Sequence, residues 1–327
     1  MPVKEETLAH LTQIPNLTLR QQEPLSQHSR FGLGGPADIY AETSNEPAMM
    51  KALRVLRSSG YPFVVIGGGT NLVVSDDGFR GVVLRFTAAT ISRQGPCVRA
   101  DAGAELQHLV DFNISAGLKG METMTGIPGS VGAAIYGNAG AYGHSIMERI
   151  HSVRFFDGQQ VRTLSNQECE FRYRESIFKR RTDWIIFQAE LEFGEAPAAE
   201  LQATAEAIFK TRNEKYPPDM KCAGSIFKNL LLADLPTQAR EVVPANVVRE
   251  GKVPSAWFLE KAGARGMKSG GIHVADYHAN LIFNAGGGTA HELVGVIDLL
   301  KSLVRDRFGF DLEEEVRYVG FENRNML

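Results

Sequence analysis

The apolar positions of this chain follow two periods. Residues 47–59 place apolar side chains at helical spacing up to Gly60, which predicts a short amphipathic helix stopped by that glycine. Phe63-Val64-Val65-Ile66 is a continuous apolar run of strand length that leads directly into Gly67-Gly68-Gly69. Val82–Phe86 reads as a second strand, and 104–116 as a helix closed by Gly117. A glycine-rich stretch runs from Gly126 to Gly143, and strands are expected again at Ile150–Phe156 and Trp184–Phe193. Leu201, Ala205, Ile208, Phe209 and Arg212 share one face of a helix ended by Pro217-Pro218. Thr289 and Glu292 form a capping box opening a helix with Leu293, Val296, Ile297, Leu300, Leu303 and Val304 on its inner side. Gly309 is its left-handed stop, and a strand from Glu315 to Gly320 follows. No internal repeat is evident. Helices and strands in this mixture predict an α/β or α+β protein.

Composition narrows the class. A length of 327 residues corresponds to two domains or three small ones, and the shift at 194–200 marks a boundary. Hydrophobic residues at 43% and charged residues at 22% exclude a disordered chain. A net charge of −3 supplies no electrostatic reason to expect nucleic acid or an anionic membrane as partner. Cys97, Cys169 and Cys222 are an odd count at wide spacing, which suits neither a disulfide framework nor a zinc site. No apolar run reaches the ~20 residues of a membrane span. The acidic start lacks a signal-peptide layout, so a cytoplasmic protein is expected.

Two glycine-rich segments carry the candidate chemistry. Strand 63–66 followed by Gly67-Gly68-Gly69-Thr70-Asn71-Leu72 is a turn in which backbone N–H groups can converge on a phosphate. A dinucleotide fingerprint of the Rossmann kind requires a third glycine and a following helix; here Leu72 stands at that position and strand-like residues follow. Gly32 to Ala37 fails likewise, because Pro36 leads into a strand. The segment from Gly126 to Gly143 allows close backbone approach to a large flat or extended ligand, with Ser130, Asn138, Tyr136 and Tyr142 adding polar and aromatic groups. Two such loops point to a dinucleotide held outside the Rossmann manner.

These residues resemble the UDP-N-acetylenolpyruvoylglucosamine reductase family over essentially the whole chain. The matching pieces, in order, are 28–37, 66–72, 126–132, 138–143, 173–178, 223–229, 278–280 and 312–317. The resemblance implies an α+β fold with a FAD-binding unit of the vanillyl-alcohol-oxidase-like type in two subdomains, 1–88 and 89–195. A substrate-binding domain at 200–310 follows, and a strand at 311–320 returns to the first subdomain. It implies non-covalent FAD and NADPH as cofactors and UDP-N-acetylglucosamine enolpyruvate as substrate, reduced to UDP-N-acetylmuramate for peptidoglycan synthesis. The oligomeric state is left open. Flavin contacts fall at Gly67, Gly68, Gly69, Thr70, Asn71, Leu72, Ile127, Pro128, Gly129, Ser130, Gly132, Ala133, Asn138 and Gly140. Residues 230–253 look longer than the usual family connection.

Hydride addition to a double bond conjugated with a carboxylate spreads charge into that carboxylate. It therefore calls for a cation and a proton donor. By the resemblance, Arg174 is the cation, Ser225 the donor, and Glu315 the partner of the arginine. Counting back from Val316-Arg317 selects Glu315 among three consecutive glutamates; strand alternation would put Glu313 on its face and Glu314 opposite, in solvent. Tyr142, Arg212, Lys215 and Asn229 match positions that meet the nucleotide sugar, whereas His278 and Asn280 read as organisers of a turn. Cys222, without a histidine partner, reads as structural.

Overall fold

A computed structural model describes residues 3–321. The first sheet has the order 18–24, 36–43, 79–86, 63–66, antiparallel at its first pair and parallel at the other two. The parallel crossover is carried by helix Glu46–Ser59. Asn45 opens that helix by accepting the Ala48 amide at 3.0 Å, and Gly60 closes it in the left-handed region at φ 67. Its inner face, Ala48, Met49, Ala52, Leu53 and Leu56, is buried as the spacing predicts.

The second sheet is wholly antiparallel, in the order 161–165, 150–156, 185–192, 97–101, 91–94. Its buried residues, among them Val153, Phe155, Phe187 and Leu191, share one core with helix Glu46–Ser59 and with Ile39, Val82 and Leu84 of the first sheet. The third sheet joins 221–225, 278–284, 272–275 and 268–269, with helices Ser255–Lys261 and Ala290–Phe308 packed on it. The capping box of Thr289 and Glu292 is present, and Gly309 has φ 76.

Strand Arg317–Val319 pairs in parallel with Leu72–Val74, so the end of the chain seals the strand that follows the first glycine-rich turn. It is shorter than the Glu315–Gly320 the sequence pattern predicts, because Glu315 pairs instead with the segment after Ser225. The Glu315 amide donates to the Ile226 carbonyl at 2.7 Å, and the Lys228 amide to the Glu313 carbonyl at 2.9 Å. Glu313 and Glu315 both lie toward Lys228 with Glu314 on the other side, as alternation expects, but that other side is not solvent. Glu314 is buried, bonded to Lys301 at 2.8 Å and to the Tyr318 hydroxyl, while Glu313 is the outer glutamate and reaches Lys228.

Helix Ala198–Lys215 buries Leu201 and Ala205, but Phe209, expected on the same inner face, is 46% exposed. The fully buried residues of the helix lie in its first half. Its second half runs over the Gly126 turn, where an added Cβ would lie 3.2 Å from Arg212 Cδ and 3.4 Å from Phe209 Cδ2. The long connection 230–253 is closed at its base by a two-residue pairing of Leu230-Leu231 with Lys252-Val253. Among the described residues no helix is long and apolar enough to cross a membrane, and no cluster of His, Cys, Asp and Glu suits a metal ion.

Candidate active site

The two glycine-rich segments meet. A Cβ on Gly67 would lie 2.8 Å from Ser130 Oγ, and one on Gly68 would lie 3.3 Å from Gly129 Cα. Thr70 Oγ1 donates to the Pro128 carbonyl at 3.4 Å. Gly69 has φ 68 and its open side faces the His28 carbonyl, so any side chain there collides with backbone. Ser130 caps a six-residue helix, Val131–Tyr136, accepting the Ala133 amide at 3.3 Å. This helix sits inside a stretch too rich in glycine to announce it.

Beside this junction lies a cavity of about 210 Å³ lined by Gln27, His28, Ser29, Arg30, Gly67, Gly68 and Arg85. Ser29 Oγ is buried in its wall with no hydrogen-bond partner among the described residues. A polar atom buried in this way costs free energy until a ligand satisfies it. Two arginines, an unsatisfied hydroxyl and bare glycine backbone form a donor set suited to a pyrophosphate-bearing cofactor such as FAD. Not every expected contact has this openness. Leu72 is buried in a small apolar cluster with Ile66, Val74 and Val83, and Gly132 is closed off by Ala102, 2.8 Å from where a Cβ would stand.

A second constellation lies where 138–140, 174 and 315 converge. Arg174 Nε donates to Glu315 Oε2 at 3.3 Å; its terminal nitrogens donate to the carbonyls of Asn138 at 3.4 Å and Gly140 at 2.8 Å. Arg174 itself stands at φ 56, an uncommon conformation for arginine, and Lys179 Nζ holds its carbonyl at 3.0 Å. Asn138, buried at φ 43, donates to the Arg172 carbonyl at 2.7 Å and so ties the glycine-rich segment to the arginine loop. The Asn71 side chain donates to the Glu315 carbonyl at 2.8 Å, linking the first glycine turn to the same point. Burial raises the Glu315 carboxyl above the ordinary range, against the pull of the Arg174 guanidinium.

Ser225 ends strand Lys221–Ser225 at a register shift. Gly224 before it has φ 78 with open space around it. Cys222, three residues before Ser225, is buried, and burial pushes its thiol up. The Ser225 hydroxyl is 3.2 Å from the Tyr216 hydroxyl. Because Glu315 N bonds to Ile226 O, Ser225 and Glu315 stand on neighbouring strands of chain.

Of the residues matched to the nucleotide sugar, Arg212 and Lys215 lie over the Tyr216 ring, at 5.4 and 5.0 Å from its centroid. Burial pushes the Arg212 guanidinium down from its usual value. Tyr142, at φ 53 and 51% exposed, faces Arg212. Asn229 lies apart from that group: its amide donates to the Tyr173 hydroxyl at 3.3 Å, beside Arg174. Asn280 does not organise a turn but locks the segment after Ser225, accepting the Phe227 amide at 2.9 Å and donating to the Phe227 carbonyl at 2.9 Å.

Comparison with known proteins fits this geometry. Residues 216–319 match the family described as UDP-N-acetylenolpyruvoylglucosamine reductase, C-terminal domain, and residues 37–163 match the FAD binding domain family. The UDP-N-acetylenolpyruvoylglucosamine reductase of Solibacter usitatus is 62% identical, over 95% of this chain and 99% of its own length. The chain belongs to the UDP-N-acetylenolpyruvoylglucosamine reductase family. The enzyme of that name from Geotalea uraniireducens is 34% identical over 93% of this chain and 95% of its own. A crystal structure of the Thermus caldophilus reductase superposes with TM-score 0.72 at 24% identity, covering 93% of this chain and 98% of that one, and so shows the shared α+β fold.

Within this family site, several supporting residues escaped the sequence reading. Lys228 is buried, donating to Glu175 Oε1 at 2.8 Å and to Glu313; Lys179 reaches the same Glu175 oxygen at 2.9 Å. Burial opposes the charge on Lys228, but the two carboxylates outweigh it and raise its ammonium above the usual value. Tyr173 has Arg174 Cζ at 5.0 Å and Lys252 Nζ at 4.5 Å from its ring centroid. Lys179 read as one more cation in a basic stretch, and Lys228 and Tyr173 lie inside matched motifs without a signal of burial. Ser29 became visible only as an unsatisfied atom.

Proposed function

We propose that this protein reduces the enolpyruvyl ether of UDP-N-acetylglucosamine enolpyruvate to UDP-N-acetylmuramate, with NADPH as reductant and FAD as bound cofactor. FAD, when bound, would supply the hydride-transfer chemistry between NADPH and the enolpyruvyl double bond. The chain's own part is to bind, orient and stabilise charge. The observation that carries this reading is the Arg174–Glu315 pair, anchored to both glycine-rich segments.

In this proposal the Arg174 guanidinium receives the substrate carboxylate and stabilises the charge that enters it. Three of its N–H groups are already committed to Glu315, Asn138 and Gly140, so the fork is aimed before substrate arrives. Glu315 fixes that aim. Ser225 Oγ–H passes its proton to the carbon next to the carboxylate. Tyr142, Arg212, Lys215 and Asn229 hold the nucleotide sugar, with the cations on its pyrophosphate. The units at 1–88 and 89–195 hold FAD, the unit at 200–310 the sugar nucleotide, and the cytoplasm is the place of action.

Purified protein is expected to be yellow. Under anaerobic conditions NADPH should bleach the flavin absorbance, and the enolpyruvyl sugar nucleotide should restore it. Protein that takes up no FAD, or a reduced flavin indifferent to that substrate, ends the proposal.

A further inference from the structure

The Tyr216 hydroxyl lies 3.2 Å from Ser225 Oγ, and nothing in the reaction so far uses it. Tyr216 sits where helix Ala198–Lys215 stops: its backbone leaves the helix at φ −130, ψ 79 while its amide still donates to the Arg212 carbonyl at 2.6 Å. Pro217-Pro218 then turn the chain, and strand Lys221–Ser225 runs back to bring Ser225 to the ring. Two cations of the same helix end lie over that ring, Arg212 at 5.4 Å and Lys215 at 5.0 Å. The groups facing Arg212 and Tyr216 include Tyr142, Arg30, Cys222 and Tyr277, none of them a carboxylate.

Ser225 is a weak acid. Giving its proton to carbon would leave an alkoxide, a strong base, in a half-buried site. A phenol, with an ordinary pKa of about 10, is the better terminal donor, provided it stands within hydrogen-bond reach. We propose that Tyr216 relays the proton through Ser225. As the new C–H bond forms on the substrate, the Ser225 O–H bond breaks, and the Tyr216 proton passes to Ser225 Oγ. The negative charge then develops on a ring already placed against Arg212 and Lys215, where fixed cations favour it. Solvent later returns one proton to Tyr216, which is partly exposed. The balance is one hydride from the cofactor and one proton from water, with both hydroxyls restored. This rests on the reading of Ser225 as the donor.

The test is anaerobic stopped-flow reoxidation of the NADPH-reduced holoenzyme by the enolpyruvyl substrate, in mixtures of H₂O and D₂O. Tyr216→Phe should slow reoxidation about tenfold or more, far beyond any change in the bleaching step. The dependence of rate on deuterium fraction should carry one more contributing proton in the natural protein than in Tyr216→Phe, and so be less curved in the variant, the N–H hydrogen of the reduced flavin exchanging with solvent in both. Reoxidation within twofold of the natural rate, with the curvature unchanged, overturns the relay. If Ser225→Ala also reoxidises at the natural rate, the donor assignment beneath it falls; if Ser225→Ala alone is slow, that assignment survives and the relay does not. Should Tyr216→Phe fold poorly, Tyr216→3-fluorotyrosine changes the phenol's acidity but hardly its shape. A relay shifts the reoxidation rate with that change, whereas a purely structural hydroxyl leaves it where it was.

Discussion

Arg174 shows how much one residue depends on its surroundings. Its positive φ is unfavourable for any residue with a Cβ, and it persists because Lys179 holds its carbonyl while Asn138, Gly140 and Glu315 take its guanidinium. Lysine at this position keeps the charge but loses the planar fork. Arg174→Lys should therefore slow substrate reoxidation by about 10²-fold, the scale of losing one aimed charge-stabilising donor, with NADPH bleaching much less affected. Stopped-flow traces of the two half-reactions check this; equal losses in both would count against it. Glu315 has a thermodynamic signature of its own. Its folded-state carboxyl is raised by burial, so the folded chain holds that proton more tightly than the unfolded chain does. Its contribution is full below the unfolded carboxyl value of about 4.3 and is lost as pH rises through the folded value. Glu315→Gln removes that loss. Relative to the natural protein it should gain stability between pH 4 and pH 7 in urea unfolding, while substrate reoxidation falls. A stability gap of the same size at both pH values would refute the assignment.

At the scale of elements, the locally coded pieces were readable. Helix Glu46–Ser59 carries its own cap, periodicity and left-handed stop, and helix Ala290–Phe308 its capping box and glycine. The site elements were coded only by glycine. The Gly67–Leu72 turn has its shape because the Gly69 α-carbon abuts the His28 carbonyl. Gly69→Ala should break that contact and abolish FAD retention, seen as colourless protein after gel filtration; retention of stoichiometric flavin would contradict it. Lys228 joins the 225–228 segment to the arginine loop through Glu175 and to the glutamate run through Glu313. Lys228→Met should cost about 1–3 kcal/mol in urea unfolding, since it leaves Glu175 with Lys179 alone and Glu313 in solvent. A loss below about 0.5 kcal/mol would mean the pair is only a surface contact. The glutamate run was misread at one point for an element-scale reason: alternation puts Glu314 on the far face, and that face packs against Lys301 and Tyr318 instead of meeting solvent.

At the scale of the whole molecule, the first two sheets share a core with helix Glu46–Ser59, and the last strand stitches the end of the chain to Leu72–Val74. The cavity with its unsatisfied Ser29 lies against the glycine turn that this strand supports. On the proposal that this cavity holds FAD, cofactor binding and folding are linked. FAD at 100 times its Kd should stabilise the protein by about 2.7 kcal/mol over the stripped form, seen as a concentration-dependent rise in Tm. A Tm indifferent to FAD would separate the cavity from the cofactor.

The sequence by itself determined the helices with their caps, the strand runs, the two glycine-rich loops and, through the order of its motifs, the family; each is written in contiguous residues. Only the tertiary structure decided that Glu314, expected in solvent, is buried against Lys301 and Tyr318. It also decided that Phe209 stays exposed, that Lys228 and Lys179 share Glu175, and that Tyr216 meets Ser225. These are contacts between segments far apart in the chain or turned back on themselves. No local period encodes them, because burial and pairing at such points are set by which surfaces pack together.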